Sequence, residues 1–415
     1  MTDDTQEAME TPTGKRGRGL PIGIWALGFV SLFMDVSSEM IHALLPVYLM
    51  TGLGATALAV GVIEGIAEAT AAITKVFSGA LSDRIGRRKE LAALGYGLAA
   101  VTKPIFPLAP TFDWLVAARF IDRVGKGIRG APRDALIADL APGKMRGAAF
   151  GLRQSLDTVG AFLGPLAAIG LMWLFSDDFR SVFWVAVIPA FLSLGLILFV
   201  VKEPAHPRAQ RQVRNPLARS ELKLLGNVFW WVVVVATLFT LARFSEAFLI
   251  LRANDDGIPV MLVPLVLVGM NAVYALIAYP VGALSDRVGR VGLLLVGLGL
   301  LIAADLTLAL VGGIGGLAIG VLLWGMHMGF TQGLLAALVA EAVPAELRGT
   351  AFGMFNLVTG VALLIASVIA GALWEFGGAQ WTFLAGAGFA TTAVLGLLPL
   401  RSRLNGTHKP KSVGC

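Results

Sequence analysis

The chain has a single cysteine, and it is the last of 415 residues. An internal disulfide and a thiolate metal cluster are therefore excluded, and Cys415 lies too close to the end for a prenylation box. Charge is scarce too: 14% of residues are charged against 56% hydrophobic, with a mean hydropathy of +0.78. That balance excludes an ordinary soluble domain. There is no P-loop through which ATP would drive work, no nucleophile elbow, no H-E-x-x-H and no paired-cysteine zinc site. The G-x-G at Gly125 and Gly127 has no strand before it, so it is not a dinucleotide loop. The expectation is a protein that is not an enzyme and uses no cofactor. No short apolar core with a small-residue cleavage site precedes the first apolar run, so no cleaved leader is expected either.

Apolar runs are abundant. Twelve cover 22–50, 57–81, 91–108, 114–136, 148–171, 182–201, 228–251, 259–284, 291–311, 317–339, 351–373 and 382–400. A membrane-crossing helix needs roughly 20 residues, so the runs predict an all-α membrane protein of twelve transmembrane helices. The chain also repeats itself. Gly79-Ala-Leu-Ser-Asp-Arg-Ile-Gly-Arg87 returns as Gly282-Ala-Leu-Ser-Asp-Arg-Val-Gly-Arg290, about half a chain later. Ala135-Leu-Ile-Ala-Asp-Leu-Ala-Pro142 answers to Ala337-Leu-Val-Ala-Glu-Ala-Val-Pro344, and Arg146-Gly-Ala-Ala-Phe-Gly151 to Arg348-Gly-Thr-Ala-Phe-Gly353. Landmarks matched in order mean one unit used twice, as two pseudo-symmetric six-helix bundles around a shared centre. The predicted organisation is a disordered N-terminal tail (1–20), a first bundle (21–201), a linker (202–225), a second bundle (226–400) and a C-terminal tail (401–415).

Basic residues set the orientation. Arg84, Arg87, Arg88, Lys89, Lys144, Arg146, Arg287, Arg290 and Arg348 fall in connections on one side, with the linker, while 51–56, 109–113, 312–315 and 375–380 carry no Lys or Arg. Both termini are therefore expected in the cytoplasm, in a bacterial inner membrane. The net charge of +6 is spread over these loops and implies no nucleic-acid partner.

The segment from Gly79 to Leu91 fits G-x-L-x-D-R-x-G-R-R-x-x-L, and with it the chain resembles the major facilitator superfamily. The resemblance implies that Gly79, Asp83, Arg84, Gly86 and Arg87 form a latch holding the halves in one conformation, with Asp286 and Arg287 as a weaker copy because Val291 replaces the last basic position. Gly151, Gly160, Gly164 and Pro165 resemble that superfamily's antiporter motif, with Ala168 and Ile169 where two glycines belong. Small residues at that spacing also suit plain helix packing. On the fourth helix, Arg119, Gly125 and Gly127 resemble the family's R-x-x-x-x-x-G-x-G. The longer string D-R-x-G-K-G-x-R-x-x-P-R-D from Asp122 to Asp134 resembles a bacterial branch of permeases.

Charges inside spanning segments are costly and point to an interior or a partner. Asp35, Glu39 and His42 fall within about 60° of one another on the first helix, Glu64, Glu68 and Lys75 share a stripe on the second, and Arg119, Arg123, Lys126, Arg129 and Arg133, five cations, crowd one side of the fourth with Asp122. Asp35, Glu39, Glu64 and Glu68 are the candidates for carrying a proton. Arg119, Arg123 and Lys126, with Arg243 and Glu246 from the seventh helix, are the candidates for substrate, and an arginine fork suits carboxylate or phosphate. The alternative is a salt-bridge lattice pairing these cations with Asp35, Glu39, Glu64, Glu68 and Asp157. Arg129 and Arg133 read as contacts to headgroups or loops near the cytoplasmic end. Asn271, Tyr274, Asp305, His327, Gln332 and Asn356 read as packing hydrogen bonds.

These residues predict a monomeric secondary transporter exchanging protons for a small anionic or zwitterionic molecule, with export preferred over proton-symport uptake. One rival is a transition-metal or metal-chelate carrier using Asp35, Glu39 and His42. The other is a sensor that keeps the fold without the flux, which the intact first latch argues against.

Overall fold

Inside a bilayer every backbone N–H and C=O has to pair within its own segment or a closed sheet, and the long elements of this chain are helices. The computed structural model describes residues 20–85, 87–141, 145–203, 222, 224–288, 290–343 and 347–406. Among them are twelve long helices: α1 (Ile22–His42), α2 (Ala57–Ile85), α3 (Arg88–Thr102), α4 (Phe112–Leu140), α5 (Arg146–Leu174), α6 (Phe179–Phe199), α7 (Gly226–Ala242), α8 (Leu265–Val288), α9 (Arg290–Leu310), α10 (Gly313–Glu341), α11 (Arg348–Gly377) and α12 (Ala379–Gly406). No strand occurs among the described residues. Helix α12 continues past the expected end at 400, and the tail and linker positions at 1–19, 204–221, 223 and 407–415 lie outside the described residues.

Eleven spans are long and apolar enough to cross a membrane; α4 is not, although it has the 29 residues of α2. Its own charges disqualify it on composition, and neighbouring helices pair Arg119, Asp122, Arg123 and Arg133.

In the first half α1 packs on α5 and α6, α2 and α3 on α4, and α3 on α6. In the second, α9 packs on α10 and α12, α8 on α10, and α7 on α11 and α12. Two pairs of long helices join the halves, α2 with α11 and α5 with α8. Each maps onto the other when helix numbers shift by six, as a pseudo-twofold pairing of repeats requires.

Glycines let the bundle close tightly. A Cβ on Gly127 would sit 2.8 Å from the Ala71 carbonyl of α2, and one on Gly125 would sit 2.7 Å from the Gly95 carbonyl of α3. Helix α4 therefore lies backbone-to-backbone between α2 and α3, unbroken through Pro132. On α5, a Cβ at Gly160 would reach within 2.9 Å of Asp35 Cβ and one at Gly164 within 2.6 Å of Glu39 Cβ.

Several runs predicted as single helices are broken; the third stops at Thr102 and resumes as Ile105–Leu108 after Pro104, and the first and seventh break as well. The first stops at His42, resumes at Leu45–Val47 and ends in a π-helical turn at Tyr48–Gly52, because Pro46 cannot donate to the preceding turn. The seventh stops at Ala242 and resumes as Ala247–Asp255, with Arg243 at φ −102°, ψ 74° and the Ser245 hydroxyl accepting from the Ala247 N–H at 3.2 Å. Irregular backbone at this depth survives where it lines a cavity.

Candidate functional site

A cavity of about 760 Å³ lies between the halves. Its first-half wall comes from α1, α2, α4 and α5; its second-half wall comes from α7, α8, α10, α11 and the break after Ala242. One end, at the α1–α2 and α11–α12 connections, is closed by α2 against α11. A Cβ on Gly61 would collide with the Ser367 carbonyl, and one on Gly371 would lie 2.8 Å from the Ala57 carbonyl. Glu375 closes the seam by accepting from the Ala57 backbone N–H at 3.1 Å, so a carboxylate of one half caps a helix of the other.

The first-half wall is charged. Helices α2 and α4 present acids and arginines at the same spacing of four, which makes two rungs. Arg119 Nη2 donates to Glu64 Oε2 at 2.8 Å, and Arg123 Nη1 lies 3.0 Å from Glu68 Oε1. Arg119 Nη2 also lies 2.8 Å from His42 Nδ1. Since a guanidinium only donates, Nδ1 accepts and the ring proton resides on Nε2. Lys103 donates from the other face of α4's neighbourhood, to Asp122 at 2.9 Å and to the Ser38 hydroxyl at 3.0 Å, fully buried. Nearer the open end, Arg133 donates to the Ser31 hydroxyl at 2.9 Å and lies 4.0 Å from Asp157, which Arg153 also pairs.

Four cavity-lining charges of this half make no ion pair among the described residues: Asp35 and Glu39 on α1, Lys75 on α2 and Lys126 on α4. Arg129 joins them. Its guanidinium stacks 5.0 Å from the Tyr96 ring, it is 4% exposed, and its Nη1 has no hydrogen-bond partner.

The second-half wall is nearly neutral. Its charges, Arg243 and Glu246, lie 3.5 Å apart across the helix break. With its amide oxygen turned to the guanidinium, Gln332 accepts from Arg243 at 2.9 and 3.2 Å. Asn271, Tyr274, Asn356 and Thr359 complete the polar lining.

Two six-helix halves facing each other over a central cavity agree with the family model for the Major Facilitator Superfamily, which matches residues 27–366 and 253–413. The chain belongs to the Major Facilitator Superfamily. It is 33% identical over 391 residues to an uncharacterised MFS-type transporter, MJ1317, from Methanocaldococcus jannaschii, covering 92% of this chain and 95% of that one. It is 25% identical over 385 residues to the inner membrane transport protein YajR of Escherichia coli K12, covering 88% and 80%. Among solved structures, a POT family transporter in complex with 5-aminolevulinic acid superposes with a TM-score of 0.79 at 14% identity, over 95% of this chain and 98% of that one. The chain is accordingly a multi-pass membrane transporter of this superfamily.

Within that fold the sequence-predicted residues separate. Arg123 and Lys126 line the cavity, as do Arg243 and Glu246, though these two sit in a break and not within a helix. Arg119 does not line it; Glu64 and His42 hold it inside the bundle. Of the four candidate proton carriers, Glu64 and Glu68 are ion-paired, and Asp35 and Glu39 make no ion pair among the described residues. The metal alternative loses its nitrogen ligand, because His42 Nδ1 serves Arg119, and no group of three or more potential ligands occurs among the described residues. Gly160, Gly164 and Pro165 lie where α5 meets α1, in packing contact with the helix that carries both free acids.

The latch divides differently. Gly79 contacts α4, with a Cβ there 3.3 Å from Ala131, and Arg87 pairs with Glu90 at 3.3 Å in the open. Gly86 and the side chains of Asp83, Arg84, Asp286 and Arg287 lie outside the described residues.

Sequence reasoning missed Arg129, read as a headgroup contact, and Asn271, Tyr274, Gln332 and Asn356, read as packing; all line the cavity. The i, i+3 relation of Arg129 to Lys126 was the available signal. Asp305 and His327 do lie away from it. Asp305 is fully buried against α12 but makes no packing hydrogen bond among the described residues, contrary to expectation, whereas His327 donates from Nδ1 to the Gly297 carbonyl at 3.0 Å among Phe239 and Trp324.

Proposed function

We propose that this superfamily member is a proton-coupled secondary transporter that exports a small anionic or zwitterionic molecule from a bacterial cell by alternating access. The observation that carries the reading is the charged cavity between the halves, closed at one end by the α2–α11 seam. With both termini in the cytoplasm, as the loop charges direct, that closed end faces outward and the cavity opens inward, the state in which an exporter loads.

Coupling falls to Asp35 and Glu39. An acid locked to an arginine has little occasion to exchange its proton, which sets Glu64 and Glu68 aside. Export follows the likeness of the α5 glycine segment to antiporters, and that segment seats α5 directly on the two free acids. The test is flux in proteoliposomes with an imposed pH gradient, using solutes selected by growth inhibition of a strain lacking the protein. The expected result is accumulation that a protonophore abolishes and that Glu39→Gln or Asp35→Asn uncouples from the gradient. Flux indifferent to the gradient, or full pH-driven transport by both variants, overturns proton coupling.

A further inference from the structure

We infer that the cavity is a two-pole site for a zwitterion whose ammonium and anionic groups stand about 5–9 Å apart, with the neutral second-half wall taking the uncharged body between them. The inference rests on the cavity being the transport site, and it narrows the substrate class from anionic or zwitterionic to zwitterionic alone.

The unpaired charges are sorted by depth. At the closed end, the paired Arg123 and Glu68 leave Glu39 as the acid without a partner; Arg243 on the far wall is spoken for by Glu246 and Gln332. Toward the open end stand Lys75, Lys126 and Arg129, cations from two helices. The acids facing them are Asp35, Asp134 and Asp157; Arg133 and Arg153 hold Asp134 and Asp157, as Arg123 holds the Glu68 that lies beside Lys126. One free acid against three cations leaves that region positive.

Arg129 is the decisive member. It lines the cavity with its guanidinium stacked on Tyr96 and its buried Nη1 without an acceptor among the described residues, so no acid of the protein neutralises it there. His42 and Ser31 of α1 meet Arg119 and Arg133 of α4, which sets Glu39 at about the level of Arg123; Lys126 and Arg129 lie three and six residues further along α4, and a rise of 1.5 Å per residue sets the spacing of the poles. A carboxylate or phosphate fits the basic pole and a protonated amine fits Glu39. Amides and hydroxyls from the second half, such as Asn271, Tyr274 and Asn356, bond the middle without demanding charge. Glu39 then holds either a proton or the substrate ammonium, which makes exchange of one for the other the natural cycle.

The test is isothermal titration of the purified full-length protein with 6-aminohexanoate, whose extended chain separates its charges over this range, and with its single-pole analogues hexanoate and hexylammonium. The expected result is that 6-aminohexanoate binds at least ten-fold more tightly than either analogue. Glu39→Gln should reduce its affinity to that of hexanoate while hexanoate binding persists, which shows the variant folded. Lys126→Gln or Arg129→Gln should reduce it to that of hexylammonium. Glycine, with its charges on adjacent carbons, should bind no better than hexanoate. Equal binding of a single-pole analogue, absence of binding by all, or indifference to these substitutions overturns the two-pole site. Proteoliposome flux separates the two readings. A transported solute bearing one charge ends the inference and leaves transport standing. Charge-dependent zwitterion binding with no solute moved ends the transport reading and leaves the site.

Discussion

Arg119 offers the sharpest test of how α4 keeps its charges in a bilayer. The guanidinium donates to Glu64 at 2.8 Å with both side chains essentially buried, and a second contact goes to His42. Replacing Arg119 with Leu removes the cation and leaves the Glu64 carboxylate, whose Oε1 already has no partner, with His42 Nδ1 at 3.8 Å and, further off, an Arg123 already paired with Glu68. Stranding one member of a buried pair costs about 3–5 kcal/mol, whereas replacing both members with neutral groups of similar size is close to neutral. The expected order of stability is wild type, then Arg119→Leu/Glu64→Gln nearby, with Arg119→Leu far below. At about 2–4 °C per kcal/mol for a unit of each half's size, the single variant should melt on the order of 10 °C lower. The assay is thermal unfolding in detergent followed through the nine tryptophans, with transport measured on the same preparations. The coupling between the two positions should exceed about 1 kcal/mol. If Arg119→Leu melts within about 2 °C of wild type and yet abolishes transport, Arg119 serves the substrate and the lattice argument is wrong. The lattice fails equally if the double variant is as unstable as the sum of the two singles.

The remaining predictions address packing and gating. Gly164→Ala places a methyl 2.6 Å from Glu39 Cβ and against the backbone of Val36 and Met40; it should destabilise by about 1–3 kcal/mol and impair pH-driven flux, checked by melting and proteoliposome assays, whereas unaltered melting would mean α1 and α5 separate freely. Glu375→Ala removes the cross-half cap on α2 and should favour outward opening, read as faster labelling of Leu364→Cys by a membrane-impermeant thiol reagent in a Cys415→Ser background; unchanged labelling refutes a gating role. Asp83→Asn should leave a folded, inserted protein with crippled turnover, and Asp286→Asn a milder defect, because a contact made in one conformation only is lost. Normal transport by well-expressed Asp83→Asn would sink the latch.

The twelve runs, the repeat and the resemblance of the Gly79 segment made the fold legible, because a bilayer demands long apolar helices and a duplicated unit repeats its landmarks. Residue chemistry alone also located the charge: a cation-rich α4 in lipid must face partners. What one dimension could not supply was which partner each charge takes. Arg119 and Arg129 look alike along the helix, yet Glu64 on α2 claims the first and leaves the second against Tyr96. The break at Arg243–Glu246 was hidden as well, since the flanking residues are as apolar as any helix and only the cavity makes unwound backbone tolerable there. Composition and periodicity determined the elements because each is a property of one segment meeting its solvent. The cavity charges that make no ion pair among the described residues, Asp35, Glu39, Lys75, Lys126 and Arg129, emerge only from tertiary structure, because pairing is a relation among several helices and not a property of any residue in the chain.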